Sequence, residues 1–299
     1  MVLYHSHTHE QSVTGGHMPR FVNVLVRGLL LLLIVAGILL FYARYVEPNR
    51  LRVEEVTVSS AHVSEAADGL RILVFADTHF GPYYTTEDFE RVLSAVEDAK
   101  PDLLFFLGDL IDHYSRYSEN GDARWISDVL SQMEAPYGKF AVYGNHDYGG
   151  GAESKYPTVL SDGGFQLLTN ETARLPDLGL TIIGIDDVLI GYGDPEVAAA
   201  AQDDSFNIIL THAPDIADRV ISYPADLILA GHTHGRQVDL RFFDDLVLPP
   251  YGKKYISGLY SLPGERAPQL YVTSGLGTTK LPLRFLSVPE VTLITLSSS

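Results

Sequence analysis

Phe140-Ala141-Val142-Tyr143-Gly144-Asn145-His146-Asp147 sets an apolar run against a polar turn. A short run closed by glycine and then by Asn, His and Asp reads as a buried strand delivering metal-ligand and acid-base groups to a sheet edge. A single turn of this kind is a weak signal, because most short His/Asp clusters are ordinary loops. Here the pattern recurs. Residues 70–76 lead into Asp77-Thr78-His79, and residues 103–107 into Gly108-Asp109-Leu110-Ile111-Asp112. Residues 208–210 lead into Thr211-His212, and residues 227–230 into Gly231-His232-Thr233-His234. Strands buried on both faces read as continuous Val/Ile/Leu/Phe runs, and α/β folds bind ligands beyond the carboxyl ends of their strands. The five turns are therefore expected to converge on one edge.

Composition narrows the chemistry. With 299 residues the chain is long enough for one large domain or two smaller ones, and ligand-bearing runs from 70 to 234 favour one. A formal charge of -17 argues against a nucleic-acid backbone as partner, since phosphate contacts need Lys and Arg. The absence of cysteine excludes disulfides, thiolate metal sites and a Cys nucleophile, so any metal is held by N and O ligands.

In chain order, residues 1–20 read as a polar tail carrying His5, His7, His9 and His17, with Met18 as an alternative start to Met1. Residues 21–43 are apolar apart from Asn23 and Arg27, and as a helix they would reach about 34 Å, enough to span a bilayer. Tyr42-Ala43-Arg44-Tyr45 lacks the small residues of a signal-peptide cleavage site, and an all-round apolar face does not suit a core helix. An uncleaved, single-pass membrane anchor is expected. Arg20 and Arg27 before the apolar core nearly balance Arg44, Arg50 and Arg52 after it, which leaves the membrane side of the domain open. Residues 44–69 form a linker with a first strand at 54–58, and residues 70–299 the remaining domain.

Phe89, Val92, Leu93 and Val96 follow helical spacing, with a capping box at Thr85 and Asp88 and a stop at Pro101. Trp125, Val129 and Met133 predict a second core-facing helix, and Gly149-Gly150-Gly151 a flexible loop. A strand over 181–185 ends in Asp186-Asp187, read as solvated or as outer hydrogen-bond partners rather than ligands. Short helices are expected at 195–201 and around Ile216, Val220 and Ile221, and strands at 237–240, 270–273 and 291–296.

Asp, Asn and His ligands without Cys suit Mn2+, Fe2+ or Zn2+. There are enough for two divalent ions, which together can hold both oxygens of an in-line phosphoryl displacement. In order, the blocks Asp-x-His, Gly-Asp, Gly-Asn-His-Asp, a lone His and Gly-His-x-His span residues 77–234, and in them the chain resembles the calcineurin-like metallophosphoesterase superfamily. The resemblance implies a four-layer α/β/β/α sandwich with two mixed sheets. It implies one metal on Asp77, His79 and His234, a second on Asn145, His212 and His232, and Asp109 bridging them. It also implies that His146, held by Asp112, protonates the leaving oxygen or steadies the phosphate.

His113 and Asp147 stand where the protein Ser/Thr phosphatases carry Arg and Glu, which argues against that branch. Tyr251-Gly252-Lys253-Lys254-Tyr255, Gly258-Leu259-Tyr260 and Gly275-Leu276-Gly277-Thr278-Thr279 look like the bacterial membrane-associated phosphodiesterase branch. That branch includes UDP-2,3-diacylglucosamine pyrophosphatases and cell-wall-associated phosphodiesterases. The expected activity is hydrolysis of a phosphodiester or pyrophosphate, on a lipid-linked or nucleotide-sugar substrate, by an enzyme seated at the cell membrane. Arg236, Lys253 and Lys254 are candidate substrate contacts, and Arg236 replaces a Gly common among relatives. The alternatives are a general envelope phosphodiesterase and a non-catalytic scaffold with the same fold.

Overall fold

The computed structural model describes residues 19–117, 123–240 and 248–299. The histidines of the expected tail, and the choice between Met1 and Met18, fall outside the described residues. Arg20–Phe41 forms α1, a 22-residue helix with no buried residue. It is long and apolar enough to cross a membrane. The sequence carries the apolar helix to residue 43, whereas the α-helix stops at Phe41 and Tyr42–Val46 is a π-turn in which Ala43 is buried.

The rest of the chain runs β1 (Arg52–Ser60), β2 (Arg71–Phe75), α2 (Thr86–Ala99), β3 (Leu103–Phe106), α3 (Tyr114–Tyr117), α4 (Arg124–Leu130), β4 (Lys139–Ala141), α5 (Asn145–Gly149), α6 (Tyr156–Asp162), β5 (Gln166–Leu167), β6 (Glu171–Leu175), β7 (Leu180–Gly184), β8 (Phe206–Leu210), α7 (Ala217–Val220), β9 (Leu227–Ala230), β10 (Gly258–Ser261), β11 (Gln269–Val272) and β12 (Glu290–Ser298). One sheet has the order β1-β12-β2-β3-β4-β5, the other β10-β11-β9-β8-β7-β6. Both are mixed: β2 to β5 are parallel while β12 runs antiparallel to β2, and β7, β8, β9 and β11 are parallel between antiparallel β6 and β10.

Strand alternation explains why the ligand-bearing strands are apolar throughout. In β2, Ile72 and Val74 join Leu103 and Phe105 of β3 and Ile182, Ile208 and Leu227 of the second sheet in a core between the sheets. Leu73 and Phe75 turn the other way, onto Phe89 and Val92 of α2. In the second sheet Ile183, Ile209 and Ile228 face Ala217 and Val220 of α7. Three cores between helix, sheet, sheet and helix make the four-layer sandwich. Each fully buried Leu, Ile or Phe contributes about 1.5–3 kcal/mol, so the stack holds the strand ends in fixed register.

The Thr85 capping box forms as expected, with the Thr85 side chain accepting from the Asp88 N–H and the Asp88 carboxylate accepting from the Thr85 N–H. The helix ends at Lys100 in a left-handed conformation. Three expectations are corrected. Residues 237–240 form no strand; only Val238 bridges Phe285, because Arg236 and Gln237 both adopt positive φ and break the extended run. Gly149 closes α5 rather than opening a flexible loop. Met133 is buried, but in the turn after α4, which stops at Leu130.

Candidate metal centre

The five turns follow β2, β3, β4, β8 and β9, and they meet. Asp77, His79, Asp109, His232 and His234 all hold left-handed backbone conformations, with φ of 53, 46, 59, 73 and 51°. Such non-glycine geometry costs on the order of 1–3 kcal/mol per residue and persists only where the surroundings over-determine it. Two glycines let the β3 and β4 turns touch. A Cβ on Gly108, at φ +93°, would lie 2.3 Å from the Gly144 nitrogen, and one on Gly144 would lie 2.2 Å from Asp109 Oδ1. The buried Asp147 carboxylate ties the same turns together, accepting from the N–H groups of Gly144 (2.8 Å), Asp109 (2.9 Å) and Leu110 (3.0 Å).

The side chains form two groups that share one oxygen. In the first, His79 Nε2 lies 3.1 Å from His234 Nε2, which lies 3.6 Å from Asp77 Oδ1. In the second, His212 Nε2 lies 3.1 Å from His232 Nδ1. Asp109 Oδ2 stands between them, 3.5 Å from His79 Nε2 and 3.2 Å from His212 Nε2. Asp77, His79 and His234 could hold one metal ion, and Asp109, His212 and His232 another, each set having its ligand atoms within 4.8 Å of one another.

The donors fit divalent cations on several counts. Two pairs of imidazole nitrogens face each other at hydrogen-bond distance, an arrangement that needs a proton or a cation between them. His79 Nδ1 and the Asn145 Oδ1 are buried with no hydrogen-bond partner. The histidine tautomers are set from behind, as is usual for metal ligands. His212 Nδ1 donates to the Leu107 carbonyl (2.7 Å) and His232 Nε2 to that of Pro250 (3.0 Å), turning the other nitrogens inward.

Electrostatics agree. Burial lowers His79 and His232 to about 3 and His234 well below its usual value, so all three are neutral donors. Burial also raises Asp77 to about 7. For His212, burial acts downward but the neighbouring Asp109 carboxylate outweighs it and raises the group to about 10. The field between Asp109 and His212 thus favours a positive charge.

The other expected site residues are placed as follows. Asn145 and His146 open α5, and the His146 N–H donates to Asp109 Oδ1 (2.8 Å). Asp112 holds His146 through its main-chain carbonyl, which accepts from Nδ1 at 2.9 Å; its carboxylate stands 3.7 Å away. Burial would lower His146, but Asp109 raises it above its usual value. Arg236 pairs with Asp239 at 3.5 Å. Lys254 donates to Asp218 at 2.7 Å, and the Lys253 N–H donates to Asp215.

Asp186 accepts from the Tyr148 hydroxyl and Asp187 from the N–H groups of Leu189, Ile190 and Gly191. These hydrogen bonds shape the loop beside α5, and Asp187 Oδ1 is buried with no hydrogen-bond partner. Gly275 and Gly277 serve close approach, a Cβ on Gly277 lying 2.1 Å from the Thr78 carbonyl, whereas Gly258, at φ +86°, has open space around it and serves the turn.

One residue escaped the sequence reading. Arg284 is fully buried, with Nη2 donating to the Ser274 (3.0 Å) and Gly277 (2.7 Å) carbonyls and lying 3.4 Å from His234 Nδ1. The available signal was a lone arginine in the apolar run Leu281-Pro282-Leu283-Arg284-Phe285-Leu286, since an unpaired cation is rarely buried.

This fold and side-chain set define a metal-dependent phosphoester hydrolase. Residues 70–236 match the calcineurin-like phosphoesterase family, and the chain belongs to it. An uncharacterized metallophosphoesterase, YkuE of Bacillus subtilis, is 39% identical over 262 residues, covering 86% of this chain and 90% of the relative. The UDP-2,3-diacylglucosamine pyrophosphatase LpxG of Chlamydia trachomatis is 28% identical over 329 residues, covering 92% and 98%. The phosphodiesterase YaeI of Escherichia coli is 29% identical over 259 residues, covering 85% and 92%.

Proposed function

We propose that this chain is a membrane-anchored phosphoesterase that uses two divalent ions to hydrolyse a phosphodiester or pyrophosphate bond in a lipid-linked substrate. The observation that carries the reading is Asp109 Oδ2, placed 3.5 and 3.2 Å from the imidazoles of the two groups. Asp77, His79 and His234 would hold one ion, Asn145, His212 and His232 the other, with Asp109 available to both. When bound, such ions acidify water and neutralise phosphoryl charge.

The chain's own groups do the rest. The first sheet's carboxylates balance the cations in a buried setting. His146, pinned at Nδ1 by the Asp112 carbonyl, keeps Nε2 for the leaving oxygen or a phosphoryl oxygen. Arg236, two residues beyond His234 and paired with Asp239 as Lys254 is with Asp218, is the cation we assign to the substrate for its place beside the His234 turn. The apolar α1 supports the anchor, and relatives named as a UDP-2,3-diacylglucosamine pyrophosphatase and a phosphodiesterase support the bond type.

The test is hydrolysis by the full chain in detergent with Mn2+, Zn2+ or EDTA. The panel is a phosphomonoester, a bis-aryl phosphodiester, UDP-2,3-diacylglucosamine and a short oligonucleotide. Metal-dependent UMP release from the lipid substrate is expected. Diester cleavage without UMP release points to a general envelope phosphodiesterase, and no turnover of any substrate with metal contradicts the enzymatic reading.

A further inference from the structure

The segment that follows α1 is docked on the loop that carries Arg284. The Arg284 N–H donates to the Ala43 carbonyl (2.9 Å), the Ser287 N–H donates to the buried Glu47 carboxylate, and the Tyr42 and Phe285 rings meet edge to face with centroids 6.4 Å apart. Residues 279–287 bury Arg284 yet leave Leu281 and Leu286 61% and 66% exposed. Two such exposed aliphatic side chains on one packed loop call for a partner when exposed aromatic rings stand nearby. Across the docked segment, Tyr45 and Tyr83 are also exposed, and the Arg44 guanidinium lies 4.8 and 5.5 Å from their ring centroids.

The charge of this surface departs from that of the chain. Arg44, Arg50 and Lys280 are cationic, and residues 266–289 contain no Asp or Glu in a protein of net charge -17. Among the described residues, Glu47 is engaged by Ser287, Asp88 by Thr85 and Arg91, and Asp239 by Arg236. Aliphatic tips, tyrosines and a few cations are the composition of a lipid-water interface, where the rings sit at headgroup level and the cations meet anionic phosphates. Tyr42 is covalently next to Phe41, so a spanning α1 would deliver this surface to the headgroup layer.

We propose that residues 42–50, Tyr83 and the 279–287 loop form a seat for an anionic bilayer surface, with Leu281 and Leu286 dipping among the headgroups. This rests on the membrane-anchor reading above. The seat borders a cleft of about 190 Å³ lined by Arg44, Tyr83, Gly277 and Thr278, and Gly277 packs on the Asp77-Thr78 turn. A phospholipid-like substrate would therefore pass from the bilayer to the metal-binding turns along the protein.

The chain has no cysteine, so single-cysteine variants of the full protein can each carry one nitroxide. Labels at Leu281→Cys and Leu286→Cys, with Ile38→Cys in α1 and Tyr137→Cys as references, are read by spin-label accessibility in vesicles of phosphatidylglycerol and phosphatidylcholine. Lipid shielding at 281 and 286, with an aqueous label at 137, is the expected result. Shielding at 38 with aqueous labels at 281 and 286 overturns the seat and leaves the anchor. Aqueous labels at all four positions overturn both.

The double variant Leu281→Asp/Leu286→Asp is then compared with the unaltered protein on a water-soluble aryl phosphodiester and on a lipid-tailed phosphodiester in the same vesicles. A drop of about tenfold confined to the vesicle-borne ester is expected, from loss of interfacial partitioning. An equal change on both esters overturns the proposal.

Discussion

The two sheets contribute unequally to the metal centre. The turns after β2, β3 and β4 of the first sheet bring the carboxylates Asp77 and Asp109, with His79, Asn145 and His146. The turns after β8 and β9 of the second bring imidazoles only, His212, His232 and His234. First-sheet acids are held by backbone N–H donors, as Asp77 is by the His232 N–H at 3.1 and 3.0 Å. Of the second-sheet imidazoles, His212 and His232 are held by backbone carbonyls, as His212 is by Leu107, while His234 Nδ1 faces Arg284. The hydrogen bonds from His232 N–H to Asp77 and from His212 to Leu107 cross from one sheet to the other. The centre is thus a joint: both carboxylates come from one sheet, three of the imidazoles come from the other, and the core between them sets the spacing.

The comparison breaks most sharply at the shared oxygen. Asp109→Ala should lower kcat/KM for a phosphodiester on the order of a thousandfold and release metal from both groups, read by steady-state kinetics and elemental analysis. Loss of one ion only would show that the two groups are independent.

Asp147→Asn sharpens the first-sheet half, because the residue touches backbone rather than the facing ligand atoms. Loss of roughly 10–100-fold in metal affinity is expected, measured by titration with Mn2+. The fold should persist by circular dichroism.

Protons compete with cations in this joint. With Asp77 raised to about 7 and His212 to about 10, the protein without metal holds protons that binding must displace. Metal affinity should therefore rise with pH, by roughly tenfold per pH unit for each proton displaced, between pH 6 and 8. Calorimetry in two buffers of different ionisation enthalpy measures the proton count. Affinity that falls over that range would contradict the assignment.

The smallest effect lies away from the centre. Thr85→Ala removes the α2 cap and should cost about 1 kcal/mol of stability, seen as a lower thermal midpoint, with kcat unchanged.

The centre was legible in the sequence because its strands are buried on both faces. Runs such as Leu103-Leu104-Phe105-Phe106 leave no polar position until the turn, so the polar turn stands out. The missed strands are those without that contrast. β6, Glu171-Thr172-Ala173-Arg174-Leu175, is an edge strand with exposed charges, and β10 is an edge strand whose burial alternates over only four residues. β5 spans two residues, too few for any period. The 237–240 run has strand-like residues, but the left-handed turns of Arg236 and Gln237 take it out of the sheet. Arg284 was hidden because its partners are carbonyls contributed by distant turns, which no local pattern encodes.

The most direct measurement is a titration of the metal-stripped full chain with Mn2+, following bound metal and hydrolysis of a bis-aryl phosphodiester together. The account predicts two ions per chain, with activity developing as the second binds, and loss of both ions in Asp109→Ala. A single ion per chain at full activity, or hydrolysis that persists in EDTA, would contradict it.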